Sequence, residues 1–371
     1  MIGDIYEAAR DTIEVGAAAG SYPVFVGTDL VGRLPVVLST FAPAHRVAVI
    51  SDDRVGPIHG TSVAETLTEV GHDVTLLTFP EGEASKTRKS WSILTDEMLE
   101  TGLGRDCVVV AVGGGVTTDL AGFVAATYLR GVPIVQVPTS TLAMIDASVG
   151  GKTGVNHSEG KNLIGAFHQP RAVIIDVATM ATLPEREYRA GVAEVVKYGL
   201  IRDPRFLRWL EDHTESIKLR APETIMHMVE VSVRNKAEVV AADEREAGSR
   251  ALLNLGHSFG HAIETLTGYQ RWLHGEAVAI GMVVAARLSE NRGLLQQGST
   301  ERVAGLLDQL GLPTAVPDDL AGASILETLA LDKKVMGGRL RLILLEALGS
   351  AVVDNSSAPS EILEAIEGCR A

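Results

Sequence analysis

His257 and His261 stand four residues apart in HSFGH, so a helix there would carry both imidazoles on one face. His274 opens the stretch HGEAVAIGM, and Glu194 lies in AGVAEVVKYGL, which reads as a helix. Two imidazoles and one carboxylate, with a fourth position open, make the ligand set of a catalytic zinc site. The spacing leaves a plainer alternative open: a helix face with one buried histidine, and Glu194 as a solvated helix residue. HSFGH is not HExxH, so a metalloprotease of that kind is not supported.

A second concentration of chemistry lies in PTSTLAMIDASVGGKTGVNHSEGKNLIGAFHQP, residues 138–170. It holds five glycines, the lysines Lys152 and Lys161, the asparagines Asn156 and Asn162, and Asp146. It fits neither a clean helix nor a clean strand. Glycine lets a backbone approach a ligand closely and lysine supplies charge, so the stretch is suited to holding an anion. The whole chain is acidic, with a net charge of −14. An anionic substrate therefore needs a locally cationic pocket, and Lys152 and Lys161 are candidates to line it.

Further clusters have a functional and a plainer reading. Gly113-Gly114-Gly115-Val116-Thr117-Thr118-Asp119 follows the apolar run CVVVAV and opens a helical pattern. Backbone N–H groups at a helix start there can meet a pyrophosphate, although the GxGxxG fingerprint is absent and a tight turn would read the same way. Ser51-Asp52-Asp53 ends another strand, where an acid can bind a ribose hydroxyl or cap a turn, and Glu81-Gly82-Glu83-Ala84-Ser85-Lys86 follows the next. Lys236, Glu246, Arg250 and Asn254 lead into His257, with a solvated loop as the plainer reading and Asn254 placed as an N-cap; for Asp332-Lys333-Lys334 the plainer reading is a basic surface turn.

These groups need a scaffold, and the hydrophobic pattern supplies one. Strand-like runs at 22–26, 46–50, 73–79, 107–112, 134–137 and 172–175 alternate with helical stretches at 62–70, 85–101 and 117–128. That alternation predicts an α/β fold with a mostly parallel sheet. From about residue 185 the pattern turns helical: 187–198, 222–240, 254–266, 276–290, 300–309 and 359–367. The runs 341–345 and 351–353 flank Gly349-Ser350 and predict a small hairpin. The expected organisation is an α/β domain over 1–183 and a helical metal- and substrate-binding domain over 184–371, with the boundary near 182–184.

Composition narrows the class. The chain has 371 residues, 46% of them hydrophobic and 22% charged, as in soluble globular proteins. Its acidity argues against broad phosphate contacts with nucleic acid. Apolar runs such as 277–286 are too short to span a membrane. The first residues lack a basic start and an apolar block, so no secretory leader is expected. Cys107 and Cys369 form no CxxC, so no disulfide framework is expected and the cytoplasm is the natural compartment.

Taken together, EGEASKT, GGGVTTDLAGFVAATYLRG, VPTSTLAMIDASVGGKTGVN, GKNLIGAFHQP, AGVAEVVKYGL, LLNLGHSFGHAIE, HGEAVAIGM and LDKK resemble the 3-dehydroquinate synthases, a family of sugar-phosphate cyclases. The resemblance runs in order over most of the chain. It implies a Rossmann-like NAD-binding domain followed by a mainly α-helical domain, a homodimer, bound NAD and one divalent metal, zinc or cobalt. The substrate it implies is 3-deoxy-D-arabino-heptulosonate 7-phosphate, the products 3-dehydroquinate and phosphate. The implied reaction is redox-neutral: NAD transiently oxidises a hydroxyl, phosphate is eliminated, the hydride returns and an intramolecular aldol step closes the ring.

The resemblance also implies residue roles. Glu194, His257 and His274 are the metal ligands. Lys152, Asn162, Arg130, Asn254 and His261 handle phosphate. Lys197, Lys236, Arg250 and Asp146 surround the substrate's carboxylate and hydroxyls, with Lys333 beside them. Asp53, Glu83, Lys86, Gly114, Gly115, Val116, Asp119, Thr139, Ser140, Lys161 and Thr182 contact NAD. Ser140 replaces the usual second threonine and keeps the hydroxyl. His168 stands where the family often has an aromatic and receives no role.

Three other readings share parts of this pattern. A 2-deoxy-scyllo-inosose or valiolone-type synthase would share the NAD, metal and phosphate machinery but not the substrate carboxylate; Arg250 and GKNLIGAFHQP favour the dehydroquinate reading. A metal-dependent alcohol dehydrogenase of the glycerol dehydrogenase type has the same two-domain plan but needs no phosphate cluster. A regulatory protein could keep the fold without chemistry; the set of ligands and lysines argues against it.

Overall fold

The computed structural model of the chain describes residues 2–18, 20–246, 248–335 and 340–370, with the backbone alone at 2–4 and 332–335. The chain divides into two compact units, one of residues 1–183 with 226–245, the other of 184–225 with 246–371. The stretch 226–245, which the sequence places with the helical half, groups with the first unit.

The first unit is built on seven strands: Asp11–Ala17 (β1), Gly20–Gly27 (β2), Arg46–Asp52 (β3), Asp73–Phe79 (β4), Val108–Gly113 (β5), Ile134–Pro138 (β6) and, after the hairpin Lys152–His157 (β7) and Gly160–Phe167 (β8), Ala172–Asp176 (β9). Their order is β1-β2-β9-β6-β5-β3-β4, parallel throughout except for the β1–β2 pair. β5 lies inside the sheet and is buried along its whole length, as a parallel strand covered on both faces must be. Alternation splits its side chains between two cores. Val109 and Ala111 join Ala48, Ile50, Leu120 and Val124 on one face; Val108, Val110 and Val112 join Val47, Val49, Leu34 and Leu67 on the other.

The sheet reverses its winding between β3 and β5. From β3 the chain moves outward to β4, then crosses back to β5 on β3's other side. The carboxyl ends of strands flanking such a reversal form the usual ligand crevice of an open α/β sheet.

Residues 138–170 are more ordered than their glycine content suggests. A single π-helical turn, Ala143–Ala147, precedes the antiparallel pair β7–β8. Two of the five glycines serve that pairing rather than a ligand. Gly154 and Gly165 face each other, and a Cβ on Gly165 would lie 2.1 Å from the carbonyl oxygen of Thr153. The helix Gly115–Thr127 takes the hairpin equally closely, since a Cβ on Gly122 would meet Thr153 Cγ2 at 2.4 Å.

The second unit is helical apart from an antiparallel pair, Leu342–Ala347 (β10) and Ser350–Asp354 (β11), where the hairpin was expected. Its central helices are Glu185–Ile201, His257–Leu266 and His274–Asn291. No helix among the described residues is long and apolar enough to cross a membrane.

Candidate active site

The helix Glu185–Ile201 begins with Glu185 and Glu187 in its first turn, which complement the partial positive charge of a helix start. Glu194 lies midway along it and is fully buried, which removes the solvated-residue alternative. A fully buried carboxylate demands partners. Neither of its oxygens accepts an aligned hydrogen bond, although Lys197, one turn on, places its ammonium against Oε2. The remaining neighbours are imidazoles. His257 Nε2 lies 3.5 Å and His274 Nε2 3.6 Å from Glu194 Oε1.

The far side of each imidazole fixes its tautomer. His274 Nδ1 lies 3.2 Å from Glu264 Oε2, and His257 Nδ1 lies 3.3 Å from the carbonyl oxygen of Leu255. Carbonyls and ionised carboxylates only accept, so both Nδ1 atoms carry hydrogen, and it is the neutral form of each ring that offers an Nε2 lone pair. His257 is held neutral, its pKa pushed well down by burial and then by the charges of Lys197, His274 and His261. Two ring nitrogens and a carboxylate oxygen therefore converge on one space, an arrangement that a cation satisfies. The donor set and its outer partners fit a divalent metal.

Glycines let the three helices approach closely enough for this. A Cβ on Gly275, beside His274, would lie 1.8 Å from the carbonyl oxygen of Ala190, one turn before Glu194. A Cβ on Gly281 would lie 2.0 Å from the carbonyl oxygen of Gly256, next to His257. Gly256, at φ 80°, is also the N-cap of the helix His257–Leu266. Asn254 was expected to be that cap. It instead ends the 3₁₀ turn Ser249–Asn254 and donates from Nδ2 to Glu246 Oε1 at 2.6 Å.

The rest of the second unit's candidates cluster nearby. The His261 ring centre lies 5.5 Å from that of His257 and 5.7 Å from that of His274. Lys197 is buried, with Nζ 5.4 Å from the Tyr198 ring centre. Arg250 is buried too, and its charge, with that of Arg202, opposes the upward push of burial and of Glu194 on the Tyr198 phenol. Glu264 was not singled out from the sequence. Its signal was present, because it lies seven residues after His257 in HSFGHAIE and so shares its helix face. Asp332-Lys333-Lys334 lies in the last turn of the helix Gly322–Val335 rather than in a loop turn, and the side chain of Lys333 lies outside the described residues.

In the first unit the candidate cofactor residues gather at the winding reversal. Asp53 follows β3, its N–H donating to Phe79 O at 2.8 Å and its Oδ1 accepting from Glu81 N at 2.9 Å. Gly114 and Gly115 follow β5 and start the helix Gly115–Thr127 without a side-chain cap, leaving room for an anion at its N-terminus. Val116 and Asp119 lie in its first turns. Ser140 comes close to Gly114, with Oγ 3.4 Å from where a Cβ would be, and Thr139 N donates to Gly113 O at 2.9 Å. Thr182 Oγ1 donates to Thr179 O and meets His59 Nε2 at 2.7 Å.

A polar network ties the hairpin to this region. Lys86, 4% exposed, places Nζ 2.5 Å from Asp119 Oδ2 and 2.6 Å from Asn162 Oδ1. Asn156 donates to Glu83 Oε1 at 2.7 Å and accepts from Asn162 N at 2.9 Å, while Lys161 Nζ stands 4.0 Å from Glu83 Oε1. Glu83, Lys86, Asp119, Lys161 and Asn162 are thus one cluster, and the backbone of Asn162 is left-handed at φ 57°. Asp146 pairs with Lys236 from the segment 226–245. Lys152 opens β7 and is exposed.

Arg130 is exposed at the end of a strained turn. Leu129 and Arg130 both have positive φ, 48° and 71°. Each such non-glycine residue costs about 1 kcal/mol or more, and strain of this kind persists only where the surroundings enforce it.

The fold and site define a class: an α/β unit with a nucleotide-type crevice, joined in one chain to a helical unit with a His-His-Glu metal set. Residues 76–190 match the family model described as 3-dehydroquinate synthase N-terminal, and 191–335 the one described as 3-dehydroquinate synthase C-terminal. The 3-dehydroquinate synthase of Halorhodospira halophila is 53% identical over 346 residues, 93% of this chain and 96% of its own. That of Pseudomonas aeruginosa strain UCBPP-PA14 is 47% identical over 357 residues, 95% of each. The chain belongs to the 3-dehydroquinate synthase family.

Solved structures agree on the fold. A 2-epi-5-epi-valiolone synthase from Streptomyces hygroscopicus, with NAD+ and Zn2+ bound, superposes with TM-score 0.86 at 31% identity, covering 94% of this chain and 96% of its own. A 2-deoxy-scyllo-inosose synthase complexed with carbaglucose-6-phosphate, NAD+ and Co2+ gives TM-score 0.88 at 28%, covering 97% and 100%.

Proposed function

We propose that the chain is a 3-dehydroquinate synthase that converts 3-deoxy-D-arabino-heptulosonate 7-phosphate to 3-dehydroquinate and phosphate, in the route to aromatic amino acids. The observation that carries this is the convergence of two imidazole nitrogens on one oxygen of the buried Glu194 carboxylate, in a chain whose relatives of that name reach 53% identity.

Glu194, His257 and His274 hold the divalent ion. Asp53, Glu83, Lys86, Gly114, Gly115, Val116, Asp119, Thr139, Ser140, Lys161 and Thr182 hold NAD. When bound, NAD accepts and returns a hydride and the metal polarises the oxygen at the reacting carbon.

Lys152 and Arg130 neutralise the phosphate and steady it as a leaving group, with Asn162, Asn254 and His261 adding hydrogen bonds. The bound phosphate's own oxygen takes the proton during elimination, so these cations also set where that base sits. Asp146 holds the Lys236 ammonium in one place. Lys236, Arg250, Lys197 and Lys333 meet the carboxylate and hydroxyls. Arg250 is the residue that distinguishes this substrate from the neutral sugars of related cyclases. The enzyme works as a cytoplasmic homodimer, for which light scattering of the purified protein should return about twice 39.3 kDa.

The deciding assay mixes purified protein, NAD, zinc and 3-deoxy-D-arabino-heptulosonate 7-phosphate and measures phosphate and 3-dehydroquinate. Both should form in equal amounts without net NADH. Turnover of glucose 6-phosphate or sedoheptulose 7-phosphate instead, or net NADH from glycerol, would overturn the assignment.

A further inference from the structure

Lys86 holds a buried ammonium, 4% exposed, between two groups to which the proposed function gives different tasks. Its Nζ lies 2.5 Å from Asp119 Oδ2, on the helix Gly115–Thr127, and 2.6 Å from Asn162 Oδ1, on β8. Burial pulls the Lys86 pKa down, but the charges of Asp119 and Glu83 and the bond to Asp119 outweigh it and keep the group charged.

These charges decide which way two amides face. A lysine ammonium only donates, so the atom of Asn162 that faces it is the amide oxygen. Both hydrogens of Asn162 Nδ2 are then on the branch turned away from Lys86, and Asn162 is exposed. Asn156 is fixed in the same manner by a charge of opposite sign. The Glu83 carboxylate only accepts, so Asn156 Nδ2 donates to it at 2.7 Å, and Asn156 Oδ1 accepts the backbone N–H of Asn162 at 2.9 Å. That bond restrains Asn162 at φ 57°, a left-handed backbone that asparagine enters more readily than most residues. Glu83, through Asn156, thus sets the backbone of Asn162, and Lys86 sets its side chain.

We propose that Lys86 is a positioning residue for the substrate: by holding Asn162 through its oxygen it turns the amide nitrogen outward as a donor to phosphate oxygens, and the same ammonium ties that donor to Asp119 of the cofactor set. This rests on the phosphate reading of Asn162 and the NAD reading of Asp119. The two ends of an amide differ little in shape, so it is the charge that selects between them.

Inorganic phosphate is the probe, added to protein saturated with zinc and NAD. Its affinity is read by titration calorimetry and by the rise in unfolding midpoint that it produces. Lys86→Met, similar in length and uncharged, should weaken phosphate about fivefold, the size of one hydrogen bond, and Asn162→Ala by a similar factor. The double variant should bind phosphate no more weakly than Asn162→Ala alone, because Lys86 acts on phosphate through that amide. NAD affinity, to which Lys86 contributes directly, should fall by the same factor with or without Asn162. Losses of phosphate affinity that add in the double variant overturn the proposal. Lys86→Met leaves Asp119 without its partner charge. Lys86→Met combined with Asp119→Asn removes both charges and serves if the single variant unfolds, with the same cancellation expected in the Asn162→Ala background. If Asn162→Ala leaves phosphate binding unchanged, the phosphate reading of Asn162 falls and this inference with it. If Asn162→Ala weakens phosphate and Lys86→Met does not, the role of Lys86 alone falls.

Discussion

Gly275 stands against the carbonyl of Ala190 so closely that a Cβ would sit 1.8 Å from the oxygen. Nothing shorter than a helix shift relieves that clash, because both atoms are backbone-fixed. Gly275→Ala should therefore move His274 away from Glu194. Overpacking of this kind costs about 1–3 kcal/mol, and metal affinity should fall more than stability does. Metal content after dialysis and the urea midpoint check it; a variant that keeps its zinc contradicts the packing account.

Glu264 orients His274 through Nδ1. Loss of such an outer partner lowers metal affinity by about 10–100-fold. Glu264→Ala should show that loss and Glu264→Gln, which can still accept, a smaller one. Competition with a chromophoric chelator and the visible spectrum of the cobalt form measure it. Equal affinity in all three proteins would remove Glu264 from the site.

Chelation should abolish turnover, and zinc or cobalt should restore it. Full activity in metal-free protein would contradict the roles of Glu194, His257 and His274. The same preparation should unfold more easily than the loaded one, since a ligand bound to the folded state alone adds stability.

Asp354 accepts hydrogen bonds from Ser356 Oγ at 2.7 Å and Ser357 N at 2.9 Å and pairs with Arg292 at 2.7 Å. Burial pushes its pKa up, but the Ser357, Ser356 and Arg292 bonds outweigh that and hold it well below the ordinary value. A depressed carboxylate contributes stability above its unfolded pKa, near 4, and loses it as pH falls toward the folded value. Asp354→Asn should cost about 2 kcal/mol at pH 7 and progressively less below pH 4. Urea unfolding at both pH values tests it; a cost that does not shrink in acid refutes it.

Cys107 and Cys369 are buried, and burial foremost pushes both thiols up to about 11. Neither should react with a disulfide reagent at pH 8 until the protein unfolds. Fast labelling of the native protein would count against this.

Much of this was legible in the residues. The alternation of β-branched runs and helical stretches gave the sheet, and the motif order gave the family. What pattern alone missed was set by distant contacts. The hairpin β7–β8 was hidden because Gly154 and Gly165 have no strand propensity; they are there because a side chain would strike the facing backbone. Glu194 looked like a solvated helix residue because burial is decided by the two other helices that enclose it. Asn254 looked like a cap because polar residues before apolar runs usually are; Gly256 took that place, where Gly281 also needs the space. Lys236 gave no sign of meeting Asp146, since the pairing depends on the stretch 226–245 joining the first unit.

That stretch has a consequence for dissection of the chain. The polypeptide leaves the first unit at 183, returns for 226–245 and leaves again, so each unit is discontinuous in sequence. No single cut releases either one whole. Expression of 1–183 alone would strand Asp146 without Lys236, and Gln169 without Glu244, to which it donates at 2.7 Å. Two fragments split at 183/184 are expected to need each other to fold. Co-expression of the two halves, rather than either piece alone, is the way to recover the native protein from a divided gene.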